Sequence, residues 1–280
     1  MSPSRDFTLV SQRLELEVDF ATQSLRGITE IVISPQSKEL RSIRLNGRQC
    51  RITFLTVEGK AATLKQQDPY TAARSHPSYT VHQHHLLRTK VEPQLKVPPE
   101  EEINIILPKS LQIKEVDPFS IAAQDALSRS RVSGGNDLAE TPLTGFPGEQ
   151  AVQLANLHIV IKWEVIESRD GLQWIGFHPE DSRYPHAYTR ISPFPGTACS
   201  IFPCVDDPTA RCPWEISIKV PRTLGDAFPS KQLSADGGEE KLSDDIGFSD
   251  QERALEIAVV CSGNMEEAEV RVMTSSKILN

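Results

Sequence analysis

The chain has 280 residues, of which 38% are hydrophobic and 24% are charged, a composition typical of folded globular proteins. Its 30 basic and 38 acidic residues give a formal net charge of -8, which disfavours a general affinity for nucleic-acid phosphates. The first residues lack the pattern of a signal peptide, and no apolar run reaches the roughly 18 residues that a membrane span requires. We therefore expect a cytosolic or nuclear protein with no membrane partner.

Alternating apolar and polar residues near the N-terminus predict a sheet. In RLELEVDF, residues 13–20, the side chains of Leu14, Leu16 and Val18 share one face of a strand, and acidic side chains share the other. The turn residues of ATQSLRG and a second apolar run, ITEIVI, follow. The two runs therefore predict an antiparallel hairpin.

Further strand patterns follow, each bounded by Gly, Pro or Asn and too short for a typical helix. They are RSIRLNG, CRITFLTVEG, YTVHQHHLLR, EEINIILP, LHIVIKWEVIE, GLQWIGFH, WEISIKV and LEIAVVCSG. We interpret residues 1–280 as a single all-β domain, a two-sheet antiparallel β-sandwich.

Two segments interrupt the strand pattern. Residues 117–153 are dense in Ser, Gly, Pro and charge, which is typical of a long loop insertion on the surface. Within this insertion, residues 120–128 are the one place where a short helix is expected. Residues 226–252 contain SADGGEEKLSDD and are expected to form a solvated acidic loop.

Histidines in YTVHQHHLLR are the first candidates for a metal site. His82 and His84 share one face of the predicted strand and could reach a common zinc ion, but no third ligand is evident. The other interpretation is a set of exposed strand histidines, with His85 on the opposite face.

The five cysteines are expected to be reduced, because the chain has no secretion signal and their number is odd. Cys199, Cys204 and Cys212 are too widely spaced for a zinc knuckle, and Cys50 and Cys261 are solitary. We expect all five to be buried or half-buried free thiols.

The segment FPCVDDP, residues 202–208, places two adjacent carboxylates between prolines. Asp206 and Asp207 could act as general acid and base, but neighbours on a strand point to opposite faces, and Asp-Asp-Pro is a turn signal. We favour a structural corner in which Asp206 accepts backbone N–H groups and Pro208 keeps Asp207 extended. The signatures HExxH, GxGxxG, G-x-x-x-x-G-K-[ST] and G-x-S-x-G do not occur in the sequence.

The stretch IFPCVDDPTARCPWEISIKV resembles the Phe-Pro-Cys-x-Asp-Glu-Pro segment in the N-terminal β-sandwich of the HExxH zinc aminopeptidases. FTLVSQRLELEVDFATQSLRGITEIVI is similar to the opening hairpin of that family, and IRLNGRQCRITFLTVEG to its next strands. The resemblance covers most of the chain outside the insertion and implies the same sandwich. It also implies that the zinc ligands and the exopeptidase motif lie in a following domain, and neither motif occurs in these 280 residues.

Departures from the enzyme pattern argue against catalysis. The resemblance aligns Ser192 and Phe194 with the Gln and Glu of a Gln-x-Glu-Pro segment that contributes to the enzymes' substrate pocket. Pro195 matches the proline of that segment, and Cys199 replaces its usual Arg. A peptide ammonium group would lose its polar or anionic partner there. No catalytic, cofactor-binding or metal-binding residue is therefore expected.

Where the enzymes read Lys-Ala-x-Phe, this chain reads RCPWEISI, which looks like the aminopeptidase-like family of TBP-associated factors in the transcription factor TFIID. GLQWIGFHPEDSRYPHAYT is similar to the same family. The resemblance implies a catalytically inert scaffold domain in the nucleus that contacts other TFIID subunits in pre-initiation complex assembly and core-promoter recognition. It implies promoter DNA as a partner only in the assembled complex, and no small-molecule substrate. Phe202 and Trp214 are expected to anchor the core beside the corner.

Two alternatives remain open. The chain could be the N-terminal domain of an active zinc aminopeptidase whose catalytic domain is missing from it, or a free-standing interaction module of the same fold. An HExxH motif with a later Glu, downstream of residue 280, would favour the enzyme.

Overall fold

The structure is a computed structural model that describes residues 5–66, 101–116, 154–166, 168, 171–177, 181–189, 198–207, 209–228 and 248–261. Three expectations lie outside these residues: the loop insertion at 117–153, the short helix at 120–128, and the strand that carries His82, His84 and His85. Most of the expected acidic loop, residues 229–247, also lies outside them.

Strands dominate the described residues, which confirms the prediction of a strand-rich fold. The strands are β1 (Phe7–Asp19), β2 (Ser24–Pro35), β3 (Ser42–Leu45), β4 (Arg51–Val57), β5 (Lys60–Ala61), β6 (Thr63–Gln66), β7 (Ile103–Ile106), β8 (Leu157–Val165), β9 (Leu172–Ile175), β10 (His186–Thr189) and β11 (Trp214–Lys219). The helical elements are α1 (Leu224–Ala227), α2 (Asp250–Arg253) and a 3₁₀ turn at Ala198–Ser200.

The strands form three sheets. A six-stranded sheet has the order β11-β1-β2-β8-β4-β5, a three-stranded sheet has the order β3-β7-β6, and β9 pairs with β10. β1 and β2 form the predicted antiparallel hairpin. One hydrophobic cluster contains buried side chains from the two larger sheets, including Ile31 and Ile161 from the first and Ile43 and Ile105 from the second. The core therefore joins these two sheets.

The expected antiparallel arrangement is wrong at β11. This strand pairs in parallel with β1, with Gln12 opposite Trp214 and Glu17 opposite Lys219, so the six-stranded sheet is mixed. A tight turn forces two strands to run antiparallel, but β11 lies far along the chain from β1 and follows residues 198–207. Nothing in the local alternation of β11 specifies its direction.

The chain between residues 222 and 261 also differs from expectation. In LEIAVVCSG, predicted as a strand, the described residues contain only an isolated bridge from Glu256 to Thr223. The unpredicted helices α1 and α2 occur at the two ends of the expected acidic loop. Thr223 and Ser249 begin these helices with capping boxes, a signal that was present in the sequence as Thr-Leu-Gly-Asp and Ser-Asp-Gln-Glu. No helix in the described part of the chain is long and apolar enough to cross a membrane.

Trp163 of β8 lies across the inner face of the six-stranded sheet. Its indole N–H donates to the Thr29 hydroxyl over 3.0 Å, and both residues are buried. A methyl group at Gly27 would come within 2.3 Å of the Glu15 carbonyl oxygen and 2.8 Å of the Trp163 ring, so glycine leaves the space that the ring occupies. The core is thus built around a tryptophan that both packs and hydrogen-bonds.

Trp214, expected as a core anchor, is 40% exposed. Its ring packs edge-on against the half-buried Phe202, with the ring centroids 5.7 Å apart. Trp214 lies on the edge strand β11, where the described residues supply too little of a second layer to bury it. The tryptophan that anchors the core is therefore Trp163.

We predict that Trp163→Ala lowers the free energy of unfolding by about 3–5 kcal/mol, because it opens a cavity and leaves the Thr29 hydroxyl buried without its partner. Trp214→Ala is the matched control and should cost clearly less, since much of that ring already contacts solvent. Urea unfolding of both variants measures the difference. Equal losses, or a larger loss for Trp214→Ala, would contradict this assignment of the core.

Candidate functional site

The Phe-Pro-Cys segment, defined here as residues 198–207, is attached to the loop that follows β3. Asn46 and Cys204 form an isolated antiparallel bridge, in which the Asn46 N–H donates to the Cys204 carbonyl over 2.8 Å and the Cys204 N–H donates back over 2.9 Å. The Arg48 N–H donates to the Cys199 carbonyl over 2.8 Å. The segment is thus fixed by backbone bonds that are independent of its side chains.

Two amide side chains satisfy the next backbone groups of the segment. The Val205 N–H donates to Gln12 Oε1 over 3.0 Å, and the Asp206 N–H donates to Asn46 Oδ1 over 3.1 Å. Gln12 Nε2 also lies 3.7 Å from Cys212 Sγ. Gln12 is only 2% exposed although it lies in β1, so its amide is buried specifically against this segment.

The adjacent carboxylates of the segment accept hydrogen bonds within the fold. Asp206 Oδ2 accepts from the Cys199 N–H over 3.1 Å. Asp207 accepts from the Thr209 N–H over 2.9 Å, from the Thr209 hydroxyl over 2.7 Å, and from the Arg5 guanidinium over 2.6 Å. Asp206 accepts its backbone N–H group from Cys199 and not from the Asp-Asp-Pro turn as predicted, because the Thr209 N–H of that turn donates to Asp207. Arg5 and Thr209 were not foreseen as partners.

Asp207 is not suited to proton transfer near neutral pH. Burial alone would raise the pKa of its carboxyl, but hydrogen bonds from Thr209 and Arg5 outweigh burial and lower the pKa to about 2. Arg5 also pairs with Glu101 over 3.1 Å, so Asp207 belongs to a network that connects the N-terminus to the start of β7. A general base is most effective when its pKa lies near the working pH, and this carboxylate stays ionised far below it.

A buried ion pair lies under the loop that holds the segment. The Arg48 guanidinium contacts Glu102 Oε1 over 2.9 Å, and the two side chains are 9% and 0% exposed. Glu102 Oε2 accepts from the Gly47 N–H over 3.2 Å. Removing one partner of such a pair leaves an uncompensated buried charge, which costs about 3–5 kcal/mol. Neither residue was foreseen as a structural pair from the sequence.

The thiols near the segment are inert in character. Cys50, Cys199 and Cys204 are buried, Cys212 is half-buried, and none of the four forms a disulfide, as predicted. Burial raises the pKa of each of these four thiols. Cys261 differs from the prediction because it is exposed. Within the described ranges, no group of three or more His, Cys, Asp and Glu side chains is placed to hold a metal ion.

The remaining residues singled out by the sequence lie outside the described part of the chain. They are His82, His84 and His85, and the positions Ser192, Phe194 and Pro195 of the pocket segment. Pro208 lies outside it as well, whereas Pro203 is buried. The expectations for the residues outside it stay predictions.

Comparison with known proteins gives matches to solved structures and to curated sequences. No family model matches the chain. Among solved structures, yeast LTA4 hydrolase aligns with a TM-score of 0.46 at 14% identity, covering 79% of this chain and 26% of that one. An M1 zinc metallopeptidase from Deinococcus radiodurans aligns with a TM-score of 0.39 at 13% identity, covering 79% of this chain and 34% of that one.

Two curated relatives carry the name transcription initiation factor TFIID subunit 2. The Schizosaccharomyces pombe protein is 28% identical over 214 residues, which are 76% of this chain and 15% of the relative. The Saccharomyces cerevisiae protein is 23% identical over 257 residues, which are 88% of this chain and 18% of the relative. The resemblance to this TFIID family is thereby confirmed, and the chain spans less than a fifth of each relative's length.

We predict that Asp207 makes stability depend on acid pH. Its folded pKa of about 2 lies below the value of about 3.9 in an unfolded chain, so its contribution is complete above about pH 5 and is lost as the pH falls towards 2. The difference in unfolding free energy between wild type and Asp207→Asn should shrink by about 2 kcal/mol over that interval.

Urea unfolding at several pH values measures this difference. Asp6→Asn, which removes an exposed carboxylate directly after Arg5, is measured alongside as the control for the loss of a carboxylate. A difference between wild type and Asp207→Asn that does not change with pH would contradict the assigned role of Arg5 and Thr209.

Proposed function

We propose that this chain is a non-catalytic, aminopeptidase-like scaffold domain of a TFIID subunit. The observation that carries the proposal is the match to two proteins named TFIID subunit 2, over 76% and 88% of this chain. The geometry of the Phe-Pro-Cys segment supports it, because both carboxylates accept hydrogen bonds within the fold and Asp207 remains ionised at neutral pH.

The proposed domain works in the nucleus by protein–protein contacts. Its partners would be other TFIID subunits, and its part in pre-initiation complex assembly and core-promoter recognition would be to hold those subunits in place. It would need no cofactor and no small-molecule substrate. The rigid attachment of the Phe-Pro-Cys segment supports such a role, since a scaffold transmits position only if its own surface is fixed.

We predict that the tagged full-length protein, purified from nuclear extract, brings the other TFIID subunits with it. The variant Trp163→Ala, which weakens the core, should lose these subunits, whereas the exposed Trp214→Ala should retain more of them. Quantitative mass spectrometry measures the recovery. A soluble, folded wild-type protein that brings no TFIID subunit would refute the proposal.

The alternative to a non-catalytic scaffold is an active zinc aminopeptidase. The full-length protein should release no N-terminal residue from peptide substrates, and the chain should hold no stoichiometric zinc after washing with a chelator. One zinc per chain together with chelator-sensitive hydrolysis would favour the aminopeptidase. The zinc ligands of that enzyme are expected in a following domain, so zinc bound to residues 1–280 without hydrolysis would point to the predicted histidine strand instead. His82→Ala and His84→Ala should then each remove the zinc, while His85→Ala, on the opposite face of the predicted strand, should not.

Direct DNA binding by this domain is disfavoured by its net charge and by the ion pairs of its arginines. The arginines that lie closest together in the sequence are Arg41, Arg44, Arg48 and Arg51. Arg41 pairs with Glu39 over 3.2 Å, and Arg44 with Glu101 over 3.4 Å. The other two are Arg48, which is buried beside Glu102, and Arg51, which pairs with Glu164. Affinity for a duplex comes largely from cations that displace counterions from phosphates, and these four already face carboxylates.

We predict that the isolated chain binds a core-promoter duplex with a Kd of roughly 10⁻⁴ M or weaker at physiological salt. Fluorescence anisotropy with a labelled duplex measures this, and a scrambled duplex of equal length is the control. Submicromolar, salt-sensitive binding that is lost in Arg41→Glu and Arg44→Glu would assign this surface to DNA instead.

A further inference from the structure

Among the residues that the structure describes, no strand pairs with the backbone groups on the outer edge of β11. The Gln12 N–H donates to the Pro213 carbonyl over 3.1 Å, so odd-numbered residues here direct their backbone groups towards β1. Trp214, Ile216 and Ile218 therefore direct theirs away from β1. An open edge of this kind is a template for another strand.

A short antiparallel ladder begins just beyond the end of β11. The Leu224 N–H donates to the Leu255 carbonyl over 3.0 Å, and the Ile257 N–H donates to the Arg222 carbonyl over 2.9 Å. These two bonds flank the bridge between Thr223 and Glu256. The residues after β11 that form these bonds, Arg222 and Leu224, are even-numbered. The residues that direct their backbone groups to the outer edge of β11 are even-numbered as well.

Continuing this ladder by four residues brings the chain onto β11. The same register places Val259 opposite Val220 and Cys261 opposite Ile218. Pro221 lies between Val220 and Arg222. As an odd-numbered residue it directs its backbone away from this ladder, so its missing N–H removes no bond. The pairing that already exists therefore shares the even-numbered phase of the free edge, with a bend of the chain at Arg222 between the two.

The side chains match as well as the backbone. Residues directly opposite in a ladder share one face, so Val259 and Cys261 would lie beside Val220 and Ile218. Ile218 in turn lies opposite Leu16, on the face of the six-stranded sheet that contains the core. In the structure the pairing ends at Ile257, and Val259 and Cys261 are exposed. Closure would bury these apolar groups against the core side of the sheet.

We propose that residues 258–261 of this chain dock on the outer edge of β11 as an antiparallel strand, in the register Val259 to Val220 and Cys261 to Ile218. The chain's own segment is the occupant because the ladder at residues 222–224 and 255–257 already holds it in register. Closure adds a seventh strand to the sheet and shields Ile218 and Val220 from pairing with a foreign strand.

A single substitution tests the register. Ile218→Cys places a thiol opposite the native Cys261, and a hydrogen-bonded antiparallel pair has a Cα separation of about 5.5 Å, which suits a disulfide. Lys219→Cys, one residue out of register and on the other face, is the matched control. After oxidation with glutathione disulfide, peptide mapping should find the 218–261 cross-link at least tenfold more than the 219–261 cross-link.

Equal yields, or no intramolecular cross-link in a folded Ile218→Cys variant, would overturn the proposal. Disulfide-linked dimers through residue 218 would overturn it in favour of a second copy as the occupant. Hydrogen exchange on the wild-type chain decides the matter even if the variant does not fold. The Ile218 amide should exchange slowly and independently of protein concentration, and fast or concentration-dependent exchange would contradict docking by the chain's own segment.

Discussion

The buried ion pair between Arg48 and Glu102 connects three parts of the chain that are distant in sequence. Glu102 lies directly before β7, Arg48 lies in the loop after β3, and the Arg48 backbone N–H donates to the Cys199 carbonyl over 2.8 Å. Two charges with side chains 9% and 0% exposed are tolerated only when they neutralise each other. The three parts must therefore take their positions together, and this constraint places the Phe-Pro-Cys segment against the core.

The polar residues around this segment serve its attachment. The side-chain oxygens of Gln12 and Asn46 accept hydrogen bonds from two successive backbone N–H groups of the segment. The carboxylates of Asp206 and Asp207 accept hydrogen bonds from Cys199, Thr209 and Arg5. A general acid and base would need at least one group that changes its charge near the working pH. A motif that resembles part of an enzyme in sequence acts here as a corner of the fold, in line with the proposed scaffold function.

The alternation of apolar and polar residues predicted the part of the fold whose strands are contiguous in sequence. The alternation around Leu14 and the turn that follows specified the β1–β2 hairpin, because both strands and their turn are contiguous. The parallel direction of β11 could not be predicted, since alternation describes the faces of a strand and not its neighbour. The exposure of Trp214 could not be predicted either, because an inward-facing side chain on an edge strand is buried only if a second layer reaches it.

The attachment of the candidate site was only partly visible in the sequence. Gln12 lies in phase with Leu14 and Leu16, and an amide on an apolar face indicates a buried hydrogen-bond partner. The predicted strand begins at residue 13 and therefore leaves Gln12 out. Asn46 offered no such signal, since Leu-Asn-Gly is typical of an ordinary turn and its partner Cys204 is far away in sequence.

Native-state hydrogen exchange can show whether the Phe-Pro-Cys segment is a fixed part of the core. The amides of Asn46 and Cys204 donate to each other's carbonyls, so they should exchange only through global unfolding, at the rate of the central strands β2 and β8. The amide of Gly59, in an exposed turn, provides the fast reference. Exchange of Asn46 and Cys204 as fast as that of Gly59 would show that the segment detaches freely and is not a fixed part of the core.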